Sequence, residues 1–260
     1  MMALMASRKR LVIGNWKKYI ESADAALELA KGLKRKTRGL AGVDVAVAPP
    51  MPFVAAVAKT LESSPIKVGA QAVSGTEGAP HTGEASAAML KSIGVNFAIV
   101  GHSERRAMGE TNDSVHRQLV EAASAGLMPV LCVGELEHNA EGAHFSFIEE
   151  QLRSALAGAQ SLAGKLVVAY EPVWAIGKRA DQAPSAATVR EMAIFIRKTL
   201  AEVLSRQAAL KVPVLYGGAV EAENAPTLIT DGDVAGFLVG HASVDLDQFV
   251  SIVKAASKSS

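Results

Sequence analysis

Glu171 stands in the string Ala169-Tyr170-Glu171-Pro172-Val173-Trp174, directly behind the apolar run Leu166–Tyr170. A carboxylate placed there is a candidate base working with little water around it. Pro172 stiffens the exit, and Val173, Trp174 and Ile176 are able to cover the group. Burial disfavours the ionised carboxylate, which raises its basicity. Other polar residues follow other apolar runs: Asn15 with Lys17, Gln71, His102 with Ser103 and Glu104, Glu135, Gly217–Gly218 and Gly240–His241. One reaction type uses such a set. Removing a proton from a carbon beside a carbonyl needs a carboxylate base and donors for the charge that builds on oxygen. Lys17 and His102 are the donors, and late-loop glycines offer backbone N–H groups for a phosphate.

The other common chemistries lack their signatures. The histidines form no HExxH or comparable ligand spacing, so no metal is expected. Gly101-His102-Ser103-Glu104-Arg105 fails the nucleophile pattern GxSxG at Arg105. Neither GxGxxG nor GxxxxGK[ST] occurs.

These residues need elements to hold them. Eight short apolar runs recur: Leu11–Trp16, Val43–Ala48, Ile66–Val73, Phe97–Gly101, Val130–Gly134, Leu166–Tyr170, Val212–Tyr216 and Val234–Val239. Most lack polar alternation, as suits strands covered on both faces. Helical spacing fills most intervals, at Ser22–Lys36, Asn112–Ala125, Ser146–Leu156, Ser185–Ser205 and about 245–256. Ser22 or Asp24 is a candidate cap, Gly39 a terminator, and a short helix is able to begin at Ser103. Alternating strands and helices predict parallel βαβ units. Eight of them predict an α/β fold, a single (β/α)8 TIM barrel over residues 10–257, with residues 1–9 a loose terminus. In such a barrel the active site lies at the C-terminal strand ends, where the polar residues above fall. The irregular stretch Gln71–Glu84 is longer than most barrel loops and reads as functional.

Composition agrees. The 260 residues carry 27 Lys plus Arg against 26 Asp plus Glu, so no basic excess points to nucleic acid. The single cysteine, Cys132, rules out an internal disulfide and fits a reducing, cytoplasmic setting. No apolar run approaches the length of a membrane span. Met1–Ala6 is apolar, but Arg8, Lys9 and Arg10 follow it, the reverse of a secretory signal.

Five strings together resemble the triosephosphate isomerase family. They are Gly14-Asn15-Trp16-Lys17, the segment Gly101 to Arg106, Cys132-Val133-Gly134-Glu135, the segment Tyr170 to Gly177, and Tyr216-Gly217-Gly218. They run in the family's order at close to its spacing. Singly, each has a plainer reading as a solvated strand end or a capped turn; their joint occurrence carries the resemblance. It implies Glu171 as the base moving a proton between carbons, His102 as the neutral electrophile, and Lys17 as the cation that binds substrate and stabilises an enediolate. Asn15, Gly177, Ala219, Gly240 and His241 would line the substrate, with Glu104 and Tyr216 behind them. No cofactor is implied. Residues 172–184 resemble the family's lid, which keeps water from an intermediate prone to lose its phosphate. Thr82, in the Gln71–Glu84 loop, matches the residue that enters a second subunit, so a homodimer is implied.

Three departures stand at the phosphate end. Lys178, Arg179 and Ala180 replace the family's Thr-Gly-Lys, Ala219 replaces a serine, and His241 replaces a glycine. The first two differ at both ends of one latch. Closure is therefore expected to use Lys178 or Arg179 against phosphate, with Tyr216 bonding the lid backbone. His241 is expected to supply its N–H at some cost in positive φ. A tetrulose-phosphate isomerase of the same chemistry and a non-catalytic barrel that binds phosphorylated ligands are the alternatives.

Overall fold

The computed structural model describes residues 9–257, apart from 77, 79, 140, 163, 179–181 and the side chain of Gln160. The loose terminus expected for residues 1–9 therefore falls, but for Lys9, outside the described residues. The chain alternates strand and helix: β1 (Arg10–Asn15), α1 (Ala23–Lys36), β2 (Val43–Ala48), α2 (Val54–Leu61), β3 (Lys67–Ala70), α3 (Ala87–Ser92), β4 (Phe97–Val100), α4 (Ser103–Ala107), α5 (Asn112–Ser124), β5 (Met128–Val133), α6 (Ala143–Ala155), β6 (Val167–Tyr170), α7 (Ala186–Val203), α8 (Arg206–Ala209), β7 (Val214–Tyr216), α9 (Ala225–Asp231), β8 (Gly236–Val239) and α10 (Leu246–Ser257). The strands pair in parallel, each with the next, and β8 closes on β1. The closed barrel is the predicted one.

Period-two alternation splits the strand residues between two cores. Ile13, Ala46, Phe97, Ile99, Val130, Cys132, Val167, Ala169, Leu215 and Leu238 fill the barrel interior. Their neighbours, such as Val12, Val45, Leu131, Val168 and Tyr216, face the helices in a larger cluster. Gly69 on β3 leaves the space that the Phe97 ring occupies; a Cβ there would collide with it. The same parity reaches the strand mouths. Asn15, the last residue of β1, shares the inward row of Ile13, and Glu171, just past β6, shares that of Val167 and Ala169.

Local signals set the helix ends. The Ser22 hydroxyl accepts the Ala25 N–H at 3.2 Å, Ser185 caps α7 in the same way, and Thr111 with Ser114 forms a reciprocal capping box on α5. Each such cap is worth roughly 1 kcal/mol. The structure corrects several expected limits. β5 begins at Met128, before Pro129, and β3 stops at Ala70 rather than Val73. α6 begins at Ala143 rather than Ser146. α2, α3 and α9 had no counterpart in the sequence reading.

Candidate active site

At the mouth of β6, the Glu171 backbone N–H donates to Val133 O at 2.8 Å, and Gly217 N donates to Tyr170 O at 2.7 Å. These bonds carry the parallel pairing of β5, β6 and β7 one residue beyond the strands. Two glycines wall the carboxylate. A Cβ on Gly134 would collide with the Glu171 carbonyl, and one on Gly217 would come within 2.8 Å of Glu171 Cγ. The side chain is buried at 2% exposure. Its Oε2 accepts the Ser103 N–H at 3.4 Å, and its Oε1 lies 3.4 Å from His102 Nε2.

His102 caps the five-residue α4. Its Nδ1 accepts the Glu104 N–H at 3.1 Å, so Nδ1 carries no proton. The neutral ring then presents Nε2–H toward Glu171 and the barrel mouth. Arg106 fixes the turn before it: Nε donates to Gly101 O at 2.8 Å and Nη1 to Asn112 Oδ1 at 2.8 Å.

Lys17 is one of three non-glycine residues with positive φ among those described, at 44°. Such a conformation costs on the order of 1–3 kcal/mol and persists only where surroundings impose it. Here they do. Asn15 Oδ1 accepts the Lys17 N–H at 3.1 Å, and Gln71 Nε2 donates to both Lys17 O (2.8 Å) and Ala48 O (2.9 Å). Lys17 Nζ meets Glu104 Oε1 at 2.6 Å, and Glu104 Oε2 lies 4.0 Å from His102 Nδ1. Burial pushes the Glu104 carboxyl upward, but the Lys17 ammonium, with a smaller effect of Lys18, holds it below its ordinary value.

Beneath the base, Cys132 is fully buried, and burial with the Glu171 charge pushes its thiol well above the usual range. It belongs to the core, as expected. A cavity of about 420 Å³ opens behind Glu171 between Arg106, Cys132, Phe147 and Gln151; neither Lys17 nor His102 lines it.

The other expected site residues scatter more widely. Gly177 is exposed at φ 75°, with nothing close to its Cβ position among the described residues. Ala219 is buried. A Cβ on Gly240 would stand 3.7 Å from Lys17 Cε, which brings the β8 loop up to the ammonium. His241 opens a short 3-10 turn through Ser243 and is absent from the positive-φ residues. The expected backbone cost there does not arise. Its exposed ring meets Tyr19 edge-on at 5.2 Å. The Tyr216 hydroxyl lies against Gly218, with the Ala219 backbone beside it, so among the described residues the expected bond to lid backbone is not made. Lys178 Nζ lies 5.7 Å over the Trp174 ring. Arg179, the other half of the expected latch, is outside the described residues. Thr82 is exposed on a loop whose base is pinned by Ser74, which bonds Ala85 O through its N–H (2.9 Å) and Glu84 through its hydroxyl.

Glu135 is the residue whose place the sequence reading left open. Its carboxylate is 1% exposed. Its Oε1 accepts from Tyr170 OH (2.9 Å), Trp174 Nε1 (2.8 Å) and His138 Nδ1 (3.3 Å). Trp174 is thus tethered by its indole N–H as well as being an apolar cover. A strand-end glutamate followed by two histidines was the available signal.

A closed (β/α)8 barrel with a buried carboxylate, a neutral imidazole and an ammonium at its strand mouths has the layout of an aldose–ketose isomerase. A family model described as triosephosphate isomerase matches residues 10–256. The triosephosphate isomerase of Carboxydothermus hydrogenoformans is 43% identical over 253 residues, 95% of this chain and 98% of that one. That of Herminiimonas arsenicoxydans is 42% identical over 252 residues, 96% of this chain and all of the relative. The chain belongs to the triosephosphate isomerase family.

Proposed function

We propose that this enzyme interconverts dihydroxyacetone phosphate and D-glyceraldehyde 3-phosphate through an enediolate, as its family's name implies. Glu171 takes the carbon-bound proton and returns it to the neighbouring carbon. His102 Nε2–H polarises the carbonyl and relays protons between the oxygens. Lys17 binds the substrate and balances the enediolate charge. Asn15 shapes the Lys17 turn, Glu104 holds the ammonium, and backbone N–H groups at Gly177, Ala219, Gly240 and His241 take the phosphate. No cofactor or metal enters this chemistry.

One observation carries the reading: a continuous chain of contacts joins the three groups. Lys17 meets Glu104 at 2.6 Å, Glu104 lies 4.0 Å from His102, and His102 lies 3.4 Å from Glu171. A mere phosphate binder has no need of the buried base. The decisive assay offers triose and tetrulose phosphates in turn, in deuterated water. Triose turnover with solvent deuterium entering at carbon is expected. Faster tetrulose turnover would favour the alternative isomerase, and binding without exchange would sink the catalytic reading.

The working form is read as a cytoplasmic homodimer. Exposed Thr82 on a loop with a pinned base supports this, as do exposed Met51, Met89 and Met108. Sedimentation at twice the chain mass is the expected result. Among the described residues no helix is long and apolar enough to cross a membrane.

A further inference from the structure

Glu135 is a buried carboxylate with three donors on one oxygen; among the described residues its Oε2 is buried without a partner. A buried charge held only by neutral donors is costly, and a cation within hydrogen-bond reach relieves that cost. Tyr170 is no source of one. Its hydroxyl keeps its proton, because burial and the Glu135 charge push its ionisation far up. Trp174 N–H is always neutral. His138, a quarter exposed in its side chain, is the only one of the three donors able to become charged.

A second histidine lies under it. The His144 ring is stacked on His138 with centroids 3.9 Å apart and planes 28° apart. His144 is 5% exposed, and among the described residues neither of its nitrogens has a partner. Burial, with His138 beside it, pushes its pKa down. Phe145 packs on its far side at 4.2 Å, and Phe145 meets Phe195 of α7 at 4.7 Å. The titratable and charged groups facing the pair are Glu135 after β5, Tyr170 on β6 and Glu191 on α7, with Lys178 across the Trp174 ring. The Glu135 carboxylate thus stands at the edge of the His138 ring, and the His144 ring lies flat beneath it.

From this geometry we infer that His138 and His144 are positioning residues for the lid: protonated His138, seated on the His144 ring, fixes the Glu135 carboxylate that tethers Trp174. When His138 loses its proton, Glu135 keeps only neutral donors, roughly half as strong as charge-assisted ones. The carboxylate then gains by turning toward water along the partly exposed His138 edge, and Trp174 loses its acceptor. The lid's first segment is accordingly held more firmly at mildly acidic pH than at alkaline pH. This rests on the reading of residues 172–184 as a lid.

The test is fluorine NMR of the full chain labelled with 5-fluorotryptophan. There are two tryptophans, and fully buried Trp16 serves as reference. The Trp174 resonance is expected to shift as pH rises from about 5 to about 8. That shift should vanish in His138→Gln and survive in His144→Phe, which keeps the buried ring without a proton site. A Trp174 signal flat with pH in the native chain, or a shift surviving in His138→Gln, overturns the inference. So does a shift lost in His144→Phe alone, which would make His144 the titrating group. A planar phosphorylated carboxylate that mimics the enediolate separates the underlying reading. Should it fail to move Trp174 at any pH, the lid reading falls; should it move Trp174 while pH does not, only the histidine inference falls.

Discussion

The two ends of the candidate site are held by different physics. At the carboxylate end, Glu171 is wedged between backbone: Gly134 and Gly217 press against it with no room for a Cβ, and Ser103 N–H and His102 Nε2 face its oxygens. At the end proposed to take the phosphate, Gly177 has nothing around its Cβ position among the described residues, His241 is exposed, and Ala219 offers no side-chain donor. The main departures from the family's usual residues, after Gly177 and at Ala219 and His241, fall at this second end. A group that moves a proton depends on its side chain and on fractions of an ångström. A phosphate held by amide N–H groups depends on the path of the backbone, which several residue types follow equally well.

The comparison breaks first, if it is wrong, at Glu171. Glu171→Asp keeps the charge and retracts it by about 1 Å, a misplacement able to cost ~10²-fold in rate. The loss should appear in kcat with KM little changed, since no phosphate contact is touched. An intact kcat in steady-state assays would show that the close walls around this carboxylate are incidental. Gly134→Ala tests the walls without altering the base. Overpacking should cost about 1–3 kcal/mol of stability, and the displaced Glu171 should again lower kcat more than it raises KM. Thermal melts together with kinetics check both halves.

How much of this was legible beforehand follows the same division. The barrel was readable because every strand is buried on both faces and every long helix has a period-3.6 face. Glu171, His102 and Lys17 were readable because each directly follows such a strand. β5 begins two residues before the apolar run Val130–Gly134, because Pro129 costs little as the second residue, where the ladder is just beginning. α2, α3 and α9, at eight residues or fewer, are too short for a periodic signal. In the site, the strain at Lys17 and the role of Gln71 in imposing it depend on φ and on carbonyl positions that no residue pattern encodes. His138 and His144 sit six apart, a spacing with no helical or metal-ligand meaning; only the turn at Gly142 stacks them.

A smaller effect sharpens the middle of the site, between its rigid and open ends. The Glu104 carboxyl lies below its ordinary value because Lys17 outweighs the effect of burial. A depressed carboxylate contributes stability above its unfolded pKa, about 4.3, and that stability is lost as pH falls through the folded value. Glu104→Gln should therefore flatten the acid limb of the urea midpoint against pH below about 4.3. An unchanged acid limb would mean that the 2.6 Å contact to Lys17 adds nothing to the fold.

The smallest effect is expected at His241. Its ring is exposed, meets Tyr19 only by an edge, and its backbone is outside the strained positive-φ region. If the phosphate sees only the N–H at this position, His241→Gly removes nothing that binds, and the added chain freedom is the main cost. Exposed substitutions of this kind stay within about 0.5 kcal/mol, so KM for the triose phosphate should change by about twofold or less. The pH dependence of KM from about 5 to 8 should also be the same in both forms. A KM that rises well beyond twofold, and only below the imidazole's titration range, would mean that a charged His241 side chain grips the phosphate. The open end of the site would then be as residue-specific as the closed one, and the contrast between the two would be lost.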